Sequence, residues 1–152
     1  MFEPHHYLKL PPMVAAEYYV GAVNAEPVCH VAVAPSLQSN GMRACRLVVM
    51  PEWQGAGVGM RFLNAVCQRE INGEGTRFGK RVKTVYFHTS HPGLCAALRR
   101  DRKWRQVSAS MLGVNKRKSA ASIKKSNGAI GIGYGGHFRA VQGFKYLGEA
   151  KP

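Results

Sequence analysis

The sequence predicts a mixed α/β fold in a single domain spanning residues 1–152. Three observations predict it. Apolar, β-branched runs and helical patterns follow the order strands, strand–helix–strand–helix, strands, which calls for one or two right-handed crossovers. The length of 152 residues suits one core. The hydrophobic content of 45% is that of a globular chain rather than a disordered one.

Each element has its own signal. Tyr18–Val23 (YYVGAV) and Val28–Ala34 (VCHVAVA) read as short strands, and the turn Asn24–Pro27 makes them a hairpin. Pro35–Met42 reads as a polar loop. Ala44–Met50 is a third strand, ended by Pro51. A helix starts near Val58, with Met60, Leu63, Val66, Cys67 and Ile71 at helical spacing, and Asn72-Gly73 stops it. Val82–Thr89 is the next strand. Pro92 then suits a first helical turn, with His91 or Ser90 as its cap, and Pro92–Arg100 has Leu94, Cys95 and Leu98 as an apolar face. Trp104–Ser108 returns as a strand, and His137–Leu147 closes the chain as a strand or bent hairpin. A basic, glycine-rich loop at about 115–136 lies between them, and no internal repeat or domain boundary is visible.

Charge and cysteine content narrow the function. Lys and Arg total 22 against 8 acids, a formal net charge of +14. Such a surplus attracts polyanions, or simply solvates the surface. Ten basic residues and one acid, Asp101, fall between Arg99 and Lys125, as a phosphate-tracking surface or as charge complementing a helix end. Cys29, Cys45, Cys67 and Cys95 form no CxxC pair and read as small buried hydrophobes of a reducing compartment. No apolar run approaches the roughly 20 residues that cross a bilayer, and the N-terminus lacks a signal-peptide plan. The expected location is cytoplasmic, with no membrane partner.

The segment Arg46–Met60, RLVVMPEWQGAGVGM, carries the chemistry. A strand runs into a glycine-rich turn and then a helix, the arrangement of an anion cradle. First-turn N–H groups and the helix dipole favour negative charge there, and glycines let backbone approach phosphate oxygens. The turn lacks the GxxxxGK[ST] of a nucleoside-triphosphate loop and the spacing of a dinucleotide fingerprint. A second cluster at 131–136 matches GxGxxG by letters, but no amphipathic helix follows it, so it reads as a loop.

The motif Gln54-Gly55-Ala56-Gly57-Val58-Gly59 resembles the Q/R-x-x-G-x-G/A signature of the GNAT superfamily of N-acetyltransferases, and LVVMPEW before it resembles that family's strand. The resemblance covers roughly Ala44–Trp104. It implies a single GNAT-like domain with a splayed strand pair. It further implies that backbone amides across Gln54, Gly55, Ala56, Gly57, Val58 and Gly59 bind the pyrophosphate of acetyl-CoA or a related acyl-CoA. The pantetheine would lie between strands Arg46–Met50 and Val82–Thr89, with an N–H near Val48 or Val49 on the thioester carbonyl. The chain departs from the family at the helix after the second strand, where Arg99 takes the position of a frequent catalytic tyrosine. Carboxylates are also scarce. Glu52, just before the cradle, is either a base or a solvated loop residue.

A narrower resemblance is to phage Mom-type DNA-modification proteins, small GNAT-like enzymes that place a carbamoylmethyl group on N6 of adenine and so evade restriction. It rests on His6-Tyr7, Arg46, Thr89-Ser90-His91-Pro92 and a terminal aromatic strand with Tyr146. It implies catalytic roles among Tyr7, Arg46, Ser90, His91 and Tyr146, and iron at His6 and Tyr7. The partner would be double-stranded DNA with the target base extruded, stacked on Tyr7, Trp53, Tyr134 or Tyr146. His88 and His91 are further proton-shuttle candidates. An exocyclic adenine amine is neutral at pH 7, which fits the shortage of carboxylate bases. The location would then be the cytoplasm of the phage's host. The alternative is an acetyl-CoA-dependent N-acetyltransferase acting on a protein, tRNA or a small-molecule amine. A homodimer through the terminal strand edge stays open.

Overall fold

The computed structural model describes Phe2, His5 and residues 15–36, 41–75, 84–110 and 140–149. Among the described residues, six strands form one mixed sheet in the order β1-β2-β3-β4-β6-β5, with two α-helices. Strands β1 (Glu17–Val23) and β2 (Glu26–Ser36) make the expected hairpin. Its two-residue turn, Asn24-Ala25, has φ of 50° and 67°. Both turn residues are left-handed, the geometry that matches the strands' twist.

Strand β3 (Gly41–Val49) runs antiparallel to β2, and β4 (Thr84–Thr89) runs parallel to β3. Helix α1 (Val58–Ile71) makes that crossover. Helix α2 (Pro92–Arg100) makes the next one, from β4 to β5 (Trp104–Ser110). The last strand, β6 (Val141–Tyr146), inserts antiparallel between β4 and β5. Both crossovers advance in the same direction across the sheet, so the right-handed rule places both helices on one face. One apolar cluster confirms it: Leu63, Val66 and Cys67 of α1 and Cys95 and Leu98 of α2 pack with Val85, Phe87, Trp104, Phe144 and Tyr146.

Two expectations change. The expected polar loop Pro35–Met42 is strand at its described ends: β2 continues through Ser36 and β3 begins at Gly41, and residues 37–40 lie outside the described residues. Pro35 is tolerated because β1 pairing ends at Glu17↔Val33, so that among the described residues Pro35 has a strand neighbour on one side only. A 3-10 turn, Pro51–Trp53, precedes the glycine turn where a plain loop was expected. Glu70 on α1 is 1% exposed and accepts a 2.6 Å hydrogen bond from the Tyr19 hydroxyl. The basic loop 115–136 and the glycine cluster 131–136 lie outside the described residues. No helix among the described residues is long and apolar enough to cross a membrane.

Candidate active site: a bulged strand and a glycine cradle

The opening in the sheet starts at Arg46. Between His30↔Val48 and Ala32↔Cys45, two steps along β2 span three along β3. One residue is therefore extra in β3, and Arg46 takes it up at φ 53°. A bulge bends its strand and ends pairing on the far side. The parallel ladder between β3 and β4 accordingly runs only from Gly41↔Thr84 to Ala44↔Phe87. Beyond it, among the described residues, no ladder pair joins Cys45–Val49 to His88–Thr89, which leaves an unpaired wedge between the two strands.

The wedge is lined by backbone. Met50 N–H donates to Val28 O at 2.9 Å, which directs it toward β2. By the two-residue period of a strand, Val49 N–H and C=O face the opposite flank, the one β4 has left. The sequence left Val48 and Val49 as alternatives for an amide at the reacting carbonyl, and this alternation favours Val49. Its carbonyl already accepts from Gln54 Nε2 at 2.9 Å, which ties the glycine turn to the strand end.

The turn itself explains its three glycines. Gly55 and Gly57 have φ of 82° and 74°. A side chain there would be strained, although the space beside Gly55 is open. Gly59 has another cause: a Cβ would lie 2.9 Å from Val49 Cγ2, closer than real carbons approach. Helix α1 thus starts directly against β3. Gly57 is its N-cap and offers no side chain, and no acid stands in the first turn. The first helical hydrogen bond is Arg61 N–H to Gly57 O, 3.1 Å, so the amides of Val58, Gly59 and Met60 precede it. Ala56 and Gln54 are exposed on the same turn. A pyrophosphate fits this donor set, which carries a helix dipole and no competing carboxylate. Arg61 is exposed, with Nε 4.0 Å from the Cβ position of Gly57. The sequence reading missed it, yet its place four residues into the motif's helix was the available signal.

Past the wedge, β4 ends and α2 begins. His91 is the cap: its Nδ1 accepts from Leu94 N–H at 3.2 Å. Its own N–H donates to Thr89 Oγ1 at 3.1 Å. Ser90 sits between them, half-buried. His88 is the penultimate β4 residue, and its Nδ1 is buried with no hydrogen-bond partner. Burial, and then the nearby Arg43 charge, lowers its pKa to about 4, so it is neutral at pH 7.

Two expected site residues lie elsewhere. Tyr146 is 2% exposed, packs edge-on against Trp104 at 5.0 Å and donates its hydroxyl to Gln68 Oε1 at 3.2 Å. Burial pushes its pKa up to about 12. It is a core residue on the helical face, because β6 alternation turns it away from the wedge. This corrects its placement as a catalytic and stacking residue. Arg99 is exposed, but its guanidinium bonds Gln106 Oε1 at 2.9 Å and also Gln142 Oε1, which holds α2 to β5 and β6 rather than leaving it for phosphate. Trp53 is half-buried on the 3-10 turn, and Glu52 beside it is exposed. His6, Tyr7 and Tyr134 lie outside the described residues. Among the described residues, no group of three or more His, Cys, Asp or Glu is placed to hold a metal. The four cysteines are free thiols.

The mixed six-strand sheet with its two helices matches a single GNAT-like domain. Solved structures agree. The ribosomal-protein-S18-alanine N-acetyltransferase from Escherichia coli superposes with a TM-score of 0.61 at 10% identity, covering 99% of this chain and 86% of that one. A mutant spermidine N-acetyltransferase from Vibrio cholerae gives 0.57 at 12% identity, with coverage of 88% and 66%. A Bacillus anthracis protein assigned as a streptothricin acetyltransferase, in complex with acetyl coenzyme A, gives 0.56 at 11% identity, with coverage of 93% and 70%. No protein-family model matches the chain, and no curated protein matches its sequence.

Proposed function

We propose that the protein is an acyl-coenzyme A-dependent N-acyltransferase. The observation that carries this is the meeting of two features at one strand end: an uncapped helix N-terminus behind left-handed glycines, and a wedge lined by strand backbone. The first suits a pyrophosphate and the second an extended pantetheine. The donor supplies an activated acyl group as a thioester. Val58, Gly59 and Met60 amides and the Arg61 guanidinium would hold its phosphates. Val49 N–H would stabilise negative charge on the carbonyl oxygen as the amine attacks. The amine loses one proton and the departing sulfur gains one. Ser90 and His91 stand at the end of β4 as candidates for moving it. His91 Nδ1 is occupied as a cap, so only its Nε2 is available. Arg46, at the bulge, is the candidate to hold an acceptor phosphate or the acyl carbonyl.

The acceptor we propose is an amine on nucleic acid, and more narrowly N6 of an adenine extruded from phage DNA, as in Mom-type proteins. Attack on the thioester gives an N6-acyl group and releases the coenzyme A thiol, and the carbamoylmethyl-type group of that resemblance, joined through a methylene carbon, would need a rearrangement after this transfer. Two observations favour it over small amines. The chain carries +14 formal charge. The segment 111–140 holds six Lys or Arg and no acid, and it joins Ser110 to Val141, next to the Gln142↔Thr89 pair at the end of β4. The alternative acceptors are a protein amine, tRNA or a small-molecule amine. Iron at His6 and Tyr7 belongs only to the Mom-type reading, and nothing in the described residues supports it. The test is expression in a bacterium, digestion of host DNA to nucleosides and mass spectrometry. The proposal expects a modified deoxyadenosine that disappears in a Gly57→Val variant. Unmodified DNA beside abundant folded protein would refute the adenine reading, and coenzyme A release with proteins, tRNA or polyamines would then identify the acceptor.

A further inference from the structure

The sheet has a second face. Met42, Ala44, Val85, Phe87, Phe144 and Tyr146 point into the helical core. Strand alternation therefore turns the residues between them to the side away from both helices. Register then aligns four of these in one row: Arg43↔Tyr86 across β3 and β4, Tyr86↔Lys145 across β4 and β6, and Lys145↔Arg105 across β6 and β5. Neighbouring strands lie about 4.8 Å apart, so the row spans about 15 Å. Three of its members are cations and the fourth is aromatic. Arg43 and Arg105 are exposed, and Tyr86 and Lys145 half-buried. No acid stands in the row, although like charges directly opposite destabilise a sheet. The next row holds His88↔Gly143↔Ser108, where the missing Gly143 side chain leaves His88 and Ser108 closing over bare backbone. That row abuts the wedge.

We infer that this row is a binding surface for single-stranded or locally opened nucleic acid, with Arg43, Lys145 and Arg105 on phosphates and Tyr86 stacking on a base. Cations interleaved with an aromatic across one face are elements of sequence-tolerant strand binding. Three cations without an acid match the regular charge of a phosphate backbone, and Tyr86 between them offers a ring face to a base. As a site for the acceptor, the inference rests on the transferase reading above. As a binding surface, it is tested separately.

The experiment is fluorescence anisotropy with a labelled single-stranded DNA of about a dozen nucleotides, over a series of salt concentrations. Each phosphate contact contributes about 0.7 to the log–log salt slope for single strands. The triple variant Arg43→Ser, Lys145→Ser, Arg105→Ser should lower the slope by about 2. The control triple Arg69→Ser, Arg100→Ser, Arg102→Ser makes the same charge change on the helical side and should leave most of it. Tyr86→Leu should weaken binding about tenfold with the slope unchanged. An equal slope loss in both triples would overturn the inference in favour of diffuse charge. Displacement of the DNA by oligoglutamate at equal charge concentration would overturn it in favour of an acidic protein. Coenzyme A binding by the same variants separates the two readings: its retention leaves the transferase standing whatever the DNA result, and its absence in the wild type removes the transferase while leaving the surface.

Discussion

Gly59→Ala is the most informative single change. The new methyl would sit 2.9 Å from Val49 Cγ2 and 3.7 Å from Leu47 Cδ2. Val49 is β-branched and stiff, so it cannot rotate away cheaply. Overpacking of this kind costs about 1–3 kcal/mol. Against it, alanine in place of glycine in a helix gains up to about 1 kcal/mol. The net expectation is a loss of about 1–2 kcal/mol, or about 3–6 °C in Tm for a domain of this size. The helix N-terminus would also shift off the strand and move the cradle amides, so coenzyme A should bind more weakly. Chemical denaturation and calorimetric titration read the two effects. The double variant Gly59→Ala, Val49→Ala removes the clash and should recover both, with a coupling of about 1 kcal/mol or more in the cycle. If Gly59→Ala melts like the wild type, or if the second change gives no recovery, then the close helix–strand contact is not the reason for this glycine.

Three further outcomes follow from the site. Arg61→Gln should raise the Kd for coenzyme A about fivefold or more while leaving the Kd for a phosphate-free pantetheine fragment unchanged, as calorimetric titration would show. His91→Ala removes the α2 cap and should cost about 1 kcal/mol in urea unfolding, which His91→Asn should largely restore. If the Asn variant is stable yet inactive, the imidazole moves a proton as well. His88 has a folded pKa of about 4, depressed below its ordinary 6.5, so the unfolded chain binds the extra proton. Its contribution is fully present above pH 6.5 and is lost as the pH falls toward 4. The shift in full corresponds to about 3 kcal/mol, and about 1–2 kcal/mol after solvent screening of a half-buried ring. A His88→Asn variant should lose less stability than the wild type over that window, measured by unfolding at stepped pH.

Much of the fold was legible because its signals are local. The helix α2 came out at Pro92–Arg100, since Pro92 and the His91 cap mark its start and Leu94, Cys95 and Leu98 its face. The motif Gln54–Gly59 marked the cradle because positive φ and close backbone approach both demand glycine. The sequence did not separate those two demands, as both look like the same letter. Pro35 and Ser36 misled because Pro and Ser suggest a loop, whereas pairing with Met42 and Gly41 of β3 keeps them in strand β2, which no local pattern shows. The Tyr19–Glu70 hydrogen bond was not legible for the same reason, since the two residues lie 51 apart in the chain. Tyr146 was assigned to the site on resemblance, and only the β6 register shows which face it takes. The bulge at Arg46 leaves no local trace, since a left-handed arginine is fixed by the strands on both sides. The basic row Arg43, Tyr86, Lys145, Arg105 is likewise assembled from four strands and has no contiguous motif.

The central claim is that the glycine turn and wedge hold a coenzyme A-linked donor. The direct measurement is calorimetric titration of coenzyme A into the wild type and into Gly57→Val, whose side chain would strain the left-handed position at φ 74°. The account predicts saturable one-site binding to the wild type and a steep loss in a variant that still unfolds cooperatively. A folded wild type that takes up no coenzyme A, or a variant that binds it equally well, would contradict it.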